Sequence, residues 1–382
     1  MNEKSDVYRE LQKHLDNMPI GFPATESGVE IKLLKYLFTP EEAEIALNLS
    51  ALPETLERIH RRAKKAKDIS IEEIESILDR LAGKGAIMGG KMLAKEGSDE
   101  KYYSKAPLAI GIYEFQLNRL TKEFVETFSQ YVDEAFAKEF HTKKTSQMRT
   151  IPVNKSLSME YHVGNYDDIR QIVQKSEGPF VVMNCICRQA KDLVGDPCKQ
   201  SDVRETCVAL DRMARVCIEN GSGREMSKEE TLGVFYKAEE LGSVIQPANS
   251  QNPMFICCCC GCCCGVLGMA KRFPRPAEYF HTNYFAEVDS ELCKGCEKCL
   301  SRCQMEAISM DDGIASVSLD RCIGCGLCTT TCKAKAIQLK RKESEFVPPK
   351  DHDALYKKIM VERFGPLGAL SMMGKSILGK KI

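Results

Sequence analysis

Eight cysteines between positions 293 and 332 constrain this chain more than any other feature, because they fall in two identical brackets. Cys293, Cys296, Cys299 and Cys303 follow a C-x-x-C-x-x-C-x-x-x-C spacing, and Cys322, Cys325, Cys328 and Cys332 repeat it 29 residues later. The flanking pairs Ala307-Ile308 and Ala336-Ile337 recur at the same interval, so the unit is duplicated. Three thiolates at this spacing converge on three corners of one iron–sulfur cube if the loop between them can turn sharply. Gly295 and Gly324 supply that freedom by tolerating positive φ. The fourth cysteine lies beyond the loop's reach and belongs to the other cube. The spacing therefore predicts one [4Fe–4S] cluster on Cys293, Cys296, Cys299 and Cys332, and a second on Cys322, Cys325, Cys328 and Cys303. The competing reading, a pair of zinc knuckles, calls for two C-x-x-C pairs rather than a triplet and a distant fourth.

Over residues 286–340 these brackets resemble the bacterial two-cluster ferredoxin family. The resemblance implies a ferredoxin-like dicluster module. Members usually carry Pro after the fourth cysteine, whereas Gln304 and Lys333 stand there in this chain. Each returns an N–H beside a ligand sulfur, from which a higher reduction potential is expected. Lys294, Lys298, Arg302, Arg321, Lys333 and Lys335 make the stretch basic, which suits docking against an acidic redox partner protein or simply a solvated face.

The chain holds 382 residues, 43% of them hydrophobic, enough for two or three domains with real cores. Its formal charge is zero, so no net field draws it to nucleic acid or to an acidic membrane. Twenty cysteines would suggest a disulfide scaffold in a short secreted protein, but residues 1–15 are charged and lack the apolar core of a signal peptide. A cytoplasmic setting, with clustered thiols as metal ligands, is expected. The longest uncharged run, 241–270, is broken by Pro247 and Pro253 and is rich in Cys and Gly, so no transmembrane segment is expected.

The first 110 residues read as a helical, winged-helix-like domain. Thr39-Pro40-Glu41-Glu42 signals a helix start, a second helix runs from about Pro53 to Lys65, and Ser70 with Glu73 makes a capping box for a third. Ala86 to Met88 and Lys101 to Ser104 suggest the strands of a wing. The third helix offers Glu72, Glu73, Glu75 and Asp79 to solvent, and residues 1–110 carry 17 Lys and Arg against 19 Asp and Glu. Phosphate repulsion at that helix argues against nucleic-acid binding and for protein docking.

Residues 111–280 read as an α+β middle domain with a cysteine-rich loop. A long amphipathic helix is expected over 112–139, strands at Thr150 to Val153, Met159 to Gly164 and Phe180 to Asn184, and a helix over Asp167 to Lys175. A helix carrying Cys207 and Cys217 follows, then one capped by Ser227 with Glu230 and closed by Gly242, then a strand at Val244 and Ile245. Residues 281–345 are the dicluster module, and 346–382 a linker and tail.

Seven cysteines between 257 and 264, interrupted only by Gly261, exceed any ordinary core use of thiols. Adjacent side chains in extended chain point to opposite faces, so the seven cannot share one cube. Cys257, Cys259, Cys260, Cys262 and Cys263 are expected to meet Cys185, Cys187 and Cys198 around at least one additional iron–sulfur cluster. Cys185 and Cys187 would share a face, and Cys198 follows Pro197 on a loop. Cys207 and Cys217 are assigned to buried structural thiols. A palmitoylated string, a zinc site and a thiol–disulfide relay are the alternatives.

The vicinal cysteines partly resemble the Cys-Cys-Gly signature of heterodisulfide-reductase-type subunits. The whole chain, with its leader Met18 to Gly28, wing, Cys185-Ile186-Cys187-Arg188 element, cysteine tract and dicluster end, resembles iron–sulfur proteins of anaerobic bacteria. No dinucleotide or Walker fingerprint is present, and the histidines have no ligand spacing. A chain with clusters but no nucleotide or flavin site suits electron transfer between partners, as a carrier or a subunit of a redox complex. An oxidoreductase subunit acting at the cysteine-rich centre, and a redox-sensing winged-helix regulator, are the alternatives.

Overall fold

The computed structural model describes residues 6–90, 100–141, 144–157, 166–378 and 380–381. The chain folds as two units: Met1–Lys143 with Lys358–Ile382, and Lys144–Lys357. These units group the expected segments 111–280 and 281–345 differently, since most of both falls in the second.

In the first unit, α1 (Val7–Asp16), α2 (Val29–Leu37) and α3 (Pro40–Ala46) bury Leu11, Leu33, Leu34 and Ala43. Thr39 and Glu42 form a capping box at the start of α3, as their spacing predicts. The short strand β1 (Glu54–Thr55) precedes α4 (Leu56–Ala63), so the second helix begins three residues later than expected. Helix α5 (Ile71–Gly83) carries the predicted Ser70–Glu73 box and buries Ile74, Ile77, Leu78 and Leu81. Strands β2 (Met88–Gly90) and β3 (Tyr102–Ser104) then pair antiparallel, giving the sheet order β1-β3-β2. The single helix expected over 112–139 is broken: a 3-10 turn at Glu114–Gln116 leads to Asn118 at φ +63°, and α6 (Lys122–Tyr131) starts afresh under a Thr121 cap. Beyond a π turn the chain ends this stretch in α7 (Ala137–His141).

The second unit is built on a five-stranded antiparallel sheet in the order β6-β4-β5-β8-β7. Helix α8 (Ile169–Lys175) is capped by Asp168, and β4 (Phe180–Asn184) follows as read. Cys185 then stands at the N-cap position of α9 (Ile186–Leu193), so Cys185 and Cys187 are not on an extended chain but at a helix start. Cys207 lies on β5 (Glu205–Leu210), not on a helix; only Cys217 is helical, on α10 (Asp211–Glu219). The β-branched and small residues around Cys207 pack as a buried strand, which a short apolar run cannot distinguish from helix. Strand β6 (Arg224–Met226) was not expected; α11 (Lys228–Glu240), with its Ser227–Glu230 box, and β7 (Val244–Pro247) follow the predicted order. The cysteine tract divides into β8 (Phe255–Cys259), a turn, and α12 (Gly265–Lys271), with Cys264 at its N-cap position and no side-chain cap. Residues 148–151 make isolated bridges rather than a strand, and the strand expected at 159–164 lies outside the described residues.

The cysteine brackets lie on loops and α13 (Lys298–Arg302) among β9 (Tyr284–Val288), the hairpin β10 (Ile308–Asp311) with β11 (Ile314–Val317), and β12 (Ile337–Arg341), which pairs antiparallel with β9. This module shares a core with the five-stranded sheet: Met305, Ala307, Ile323 and Leu327 are buried in one cluster with Val182, Val208, Phe235 and Ile256. A buried ion pair, Arg149 Nη1 to Asp167 Oδ1 at 2.7 Å, joins Asn283 Nδ2, which donates to Asp167 Oδ2 at 2.8 Å. Residues 352–377, expected as a tail, form a helix, α14 (His352–Ile377), interrupted at Gly365-Pro366. Within the first unit, its Arg363 meets Glu139 at 2.5 Å.

Candidate metal centres

The two brackets fold into two separate cavities. One is lined by Cys293, Cys296, Cys299 and Cys332, the other by Cys303, Cys322, Cys325 and Cys328. The fourth cysteine of each bracket thus stands with the triplet of the other. Gly295 at φ +59° and Gly324 at φ +65° make the turns that this requires. A Cβ at Gly324 would lie 2.2 Å from the Tyr284 carbonyl oxygen, so no other residue fits there. Backbone N–H groups aim at three of the sulfurs: Ala286 at Cys322 Sγ (3.4 Å), Ala307 at Cys303 Sγ (3.2 Å) and Ala315 at Cys293 Sγ (3.5 Å). Burial pushes the Cys325 thiol up to about 12, so its thiolate calls for a cationic partner. Eight convergent thiols with N–H donors are a donor set that fits iron–sulfur clusters.

A third group of thiols sits in the same unit. Cys198, on the loop after Pro197, meets Cys260, Cys262 and Cys263 from the turn after β8, and the four sulfurs all lie within 4.8 Å of one another. Cys198 is 3.7 Å from Cys260 and 3.8 Å from Cys262, and Cys262 is 3.6 Å from Cys263. Thiolates arranged tetrahedrally around one ion, at metal–sulfur bonds of about 2.3 Å, stand about 3.8 Å apart. The set therefore fits a single tetrahedral ion, whereas a cube of four irons would hold its thiolates farther apart.

Electrostatics favour the thiolate at Cys198, whereas burial raises Cys260 and Cys263. Burial works to raise Cys198, but the N–H groups of Gln200 and Ser201 and the Arg188 guanidinium bring it down to about 7. Burial lifts Cys260 to about 11 despite Arg188. Arg188 is fully buried and donates to the Val203 carbonyl. Its Nε and Nη2 have no hydrogen-bond partner among the described residues. Burial opposes its charge, yet Cys260, Cys198 and Cys185 hold it protonated.

Gln304 links this set to the second cavity. Its Oε1 accepts from Gly261 N at 2.6 Å and its Nε2 donates to Gln200 Oε1 at 3.1 Å, one neighbour on each side of the four-thiol set. The residue that replaces the usual Pro thus works through its side chain. Gly261 interrupts the cysteine run for a steric reason: a Cβ there would lie 2.5 Å from the Gln304 carbonyl oxygen.

Four of the expected partners are not in this set. Cys185, Cys187, Cys257 and Cys259 lie apart from it, with Cys207 and Cys264, which were not counted among the ligands. Cys187 and Cys259 beside Cys264 bring its thiol down to about 6. The missed signal was the strand register, in which Cys207 stands directly opposite Cys257. Burial lifts Cys217 to about 11, in keeping with a structural thiol.

Of the basic residues in the module, Lys294, Lys298, Lys333 and Lys335 are exposed, as is Cys296. Arg302 instead donates to the carbonyls of Glu239 (2.6 Å) and Glu240 (2.9 Å), and Arg321 to that of Met305 (3.1 Å). No described helix is long and apolar enough to cross a membrane. Residues 286–333 match the family model of the 4Fe-4S dicluster domain. No curated protein matches the chain.

Proposed function

We propose that this is an iron–sulfur electron-transfer protein, a carrier or a subunit of a redox complex, with two [4Fe–4S] clusters held by the bracketed cysteines. A further metal centre sits on Cys198, Cys260, Cys262 and Cys263. The observation that carries the reading is the crosswise division of the eight cysteines between two cavities, within the stretch that matches a dicluster domain. When bound, such clusters supply one-electron transfer.

The chain's own residues hold and tune these groups. Cys293, Cys296, Cys299 and Cys332 ligate one cluster, and Cys322, Cys325, Cys328 and Cys303 the other. The N–H groups of Ala286, Ala307 and Ala315 disperse negative charge on the sulfurs. Burial of Cys328 among Ala286 and Ile337 keeps water from one side. The cavity with Cys296 at its exposed rim is bordered by Lys294 and Lys298, and this is the face for an acidic redox partner. The first unit, winged-helix-like in its order of helices and strands, serves protein docking rather than nucleic-acid binding. Its α5 exposes Glu72 and Glu73, and Lys101 from β3's approach is paired with Glu75 (2.8 Å) and Asp79 (2.6 Å).

Electron paramagnetic resonance of the oxygen-free, dithionite-reduced chain tests this. Two interacting [4Fe–4S] signals are expected, with Cys332→Ser altering the same centre as Cys293→Ser and Cys303→Ser the same centre as Cys322→Ser. A colourless protein filled with zinc would overturn the reading.

A further inference from the structure

The eight bracketed cysteines and the four-thiol set leave eight others, and six of these sit together. Cys207 on β5 is the direct antiparallel partner of Cys257 on β8. Side chains two apart on a strand share a face, so Cys259 stands beside Cys257, and Cys258 points the opposite way into the apolar core opposite Ile245. Cys264, at the N-cap position of α12, faces Cys259 and Cys187, and Cys187 faces Cys185, at the N-cap position of α9. The contacts run Cys185, Cys187, Cys264, Cys259, Cys257, Cys207, and the charge of Cys185 is felt at Cys207. The six make a ring.

We propose that this ring of Cys185, Cys187, Cys207, Cys257, Cys259 and Cys264 is a second metal centre of the five-stranded sheet, separate from the four-thiol set and built for a polynuclear iron–sulfur cluster. Among the described residues, the four-thiol set is where three or more metal-ligating groups lie within 4.8 Å of one another. The ring is wider than that, and so are the two cavities of the dicluster stretch. Thiols touching only their nearest neighbours around a ring enclose more than one ion's first shell, and iron with bridging sulfide fills such a space.

Charge gives a second, independent argument. Arg188 is fully buried, and Cys260 and Cys198 of the four-thiol set and Cys185 of the ring all act on its charge. A buried guanidinium requires an anionic neighbour. Metal-bound thiolates provide one. With both centres counted, Cys217 and Cys258 are the two cysteines left as core, each buried in an apolar cluster.

The inference rests on the iron–sulfur reading above, and one experiment separates the two. Iron, zinc and acid-labile sulfide are counted per chain in oxygen-free preparations of wild type, Cys207→Ser/Cys264→Ser, Cys187→Ser, Cys262→Ser/Cys263→Ser and Cys258→Ala. Wild type is expected to carry iron and sulfide in excess of the about eight of each that two [4Fe–4S] clusters contain. Cys207→Ser/Cys264→Ser, or Cys187→Ser if the double variant does not accumulate, loses that excess and keeps the about eight and the dicluster resonance signal. Cys262→Ser/Cys263→Ser loses one metal ion with no loss of sulfide, and Cys258→Ala changes nothing. Wild type with no excess sulfide, or ring variants that retain it, would overturn the ring centre while leaving the dicluster reading intact. Loss of the about eight irons from wild type itself would instead remove the reading beneath it.

Discussion

Single residues explain the odd features of the cysteine-rich tract. Gly261 is the gap in a run of seven cysteines because the Gln304 backbone comes too close for any side chain. Gly261→Ala is therefore expected to shift the turn that holds Cys260, Cys262 and Cys263, at a cost of about 1–3 kcal/mol in stability. Metal content at the four-thiol set should fall, while the dicluster resonance signal stays. Retention of the full metal complement in thermally unaltered Gly261→Ala protein would contradict the steric account. Gln304 was legible as a departure from the usual Pro, but its role was not. Its contacts to Gly261 and Gln200 cross more than forty and a hundred positions of sequence, and no local pattern encodes such reach.

At the level of elements, what was legible followed local chemistry. The boxes at Thr39, Ser70 and Ser227 each satisfy backbone N–H groups with residues three positions on, so α3, α5 and α11 could be placed from sequence. The cysteine spacing likewise placed the brackets, because the triplet is a local loop. The strand around Cys207 and the break before Thr121 were not legible, since buried runs carry no distinguishing period and Asn118 turns the chain without a strong breaker. The packing of α3 against α5 carries its own pH dependence. Burial would raise Glu42, but Lys84 at 2.7 Å, the Thr39 N–H at 2.9 Å and Arg80 at 2.9 Å hold it down to about 2, from an ordinary 4.5. A depressed carboxyl stabilises the fold above its unfolded value and loses that contribution as pH falls through the folded one. Amide exchange of α3 and α5 should accelerate as pH drops from about 4.5 to 2 relative to intrinsic rates, and Glu42→Gln should flatten that dependence. An unchanged profile in the variant would assign the acid response to other groups.

Across the whole molecule, the described cysteines sort by geometry into sets of different size. The wide, crosswise cavities lie in the stretch that matches a dicluster domain, and the cavity with Cys303, Cys322 and Cys325 shares a core with the five-stranded sheet, while the compact set suits one ion and packs as a cluster of its own. Shared packing of Met305 and Leu327 with Ile256 means that changes in the sheet should be felt at the brackets. On the function proposed above, the bracketed cysteines make this chain an acceptor and donor of single electrons. A reductive titration of the oxygen-free protein under spectroscopic control tests it most directly. Reversible uptake of at least about two electrons per chain, one for each bracketed cluster, with loss of about one in Cys296→Ser, is the predicted result. A chain that takes up no electrons while holding its full metal content would contradict it.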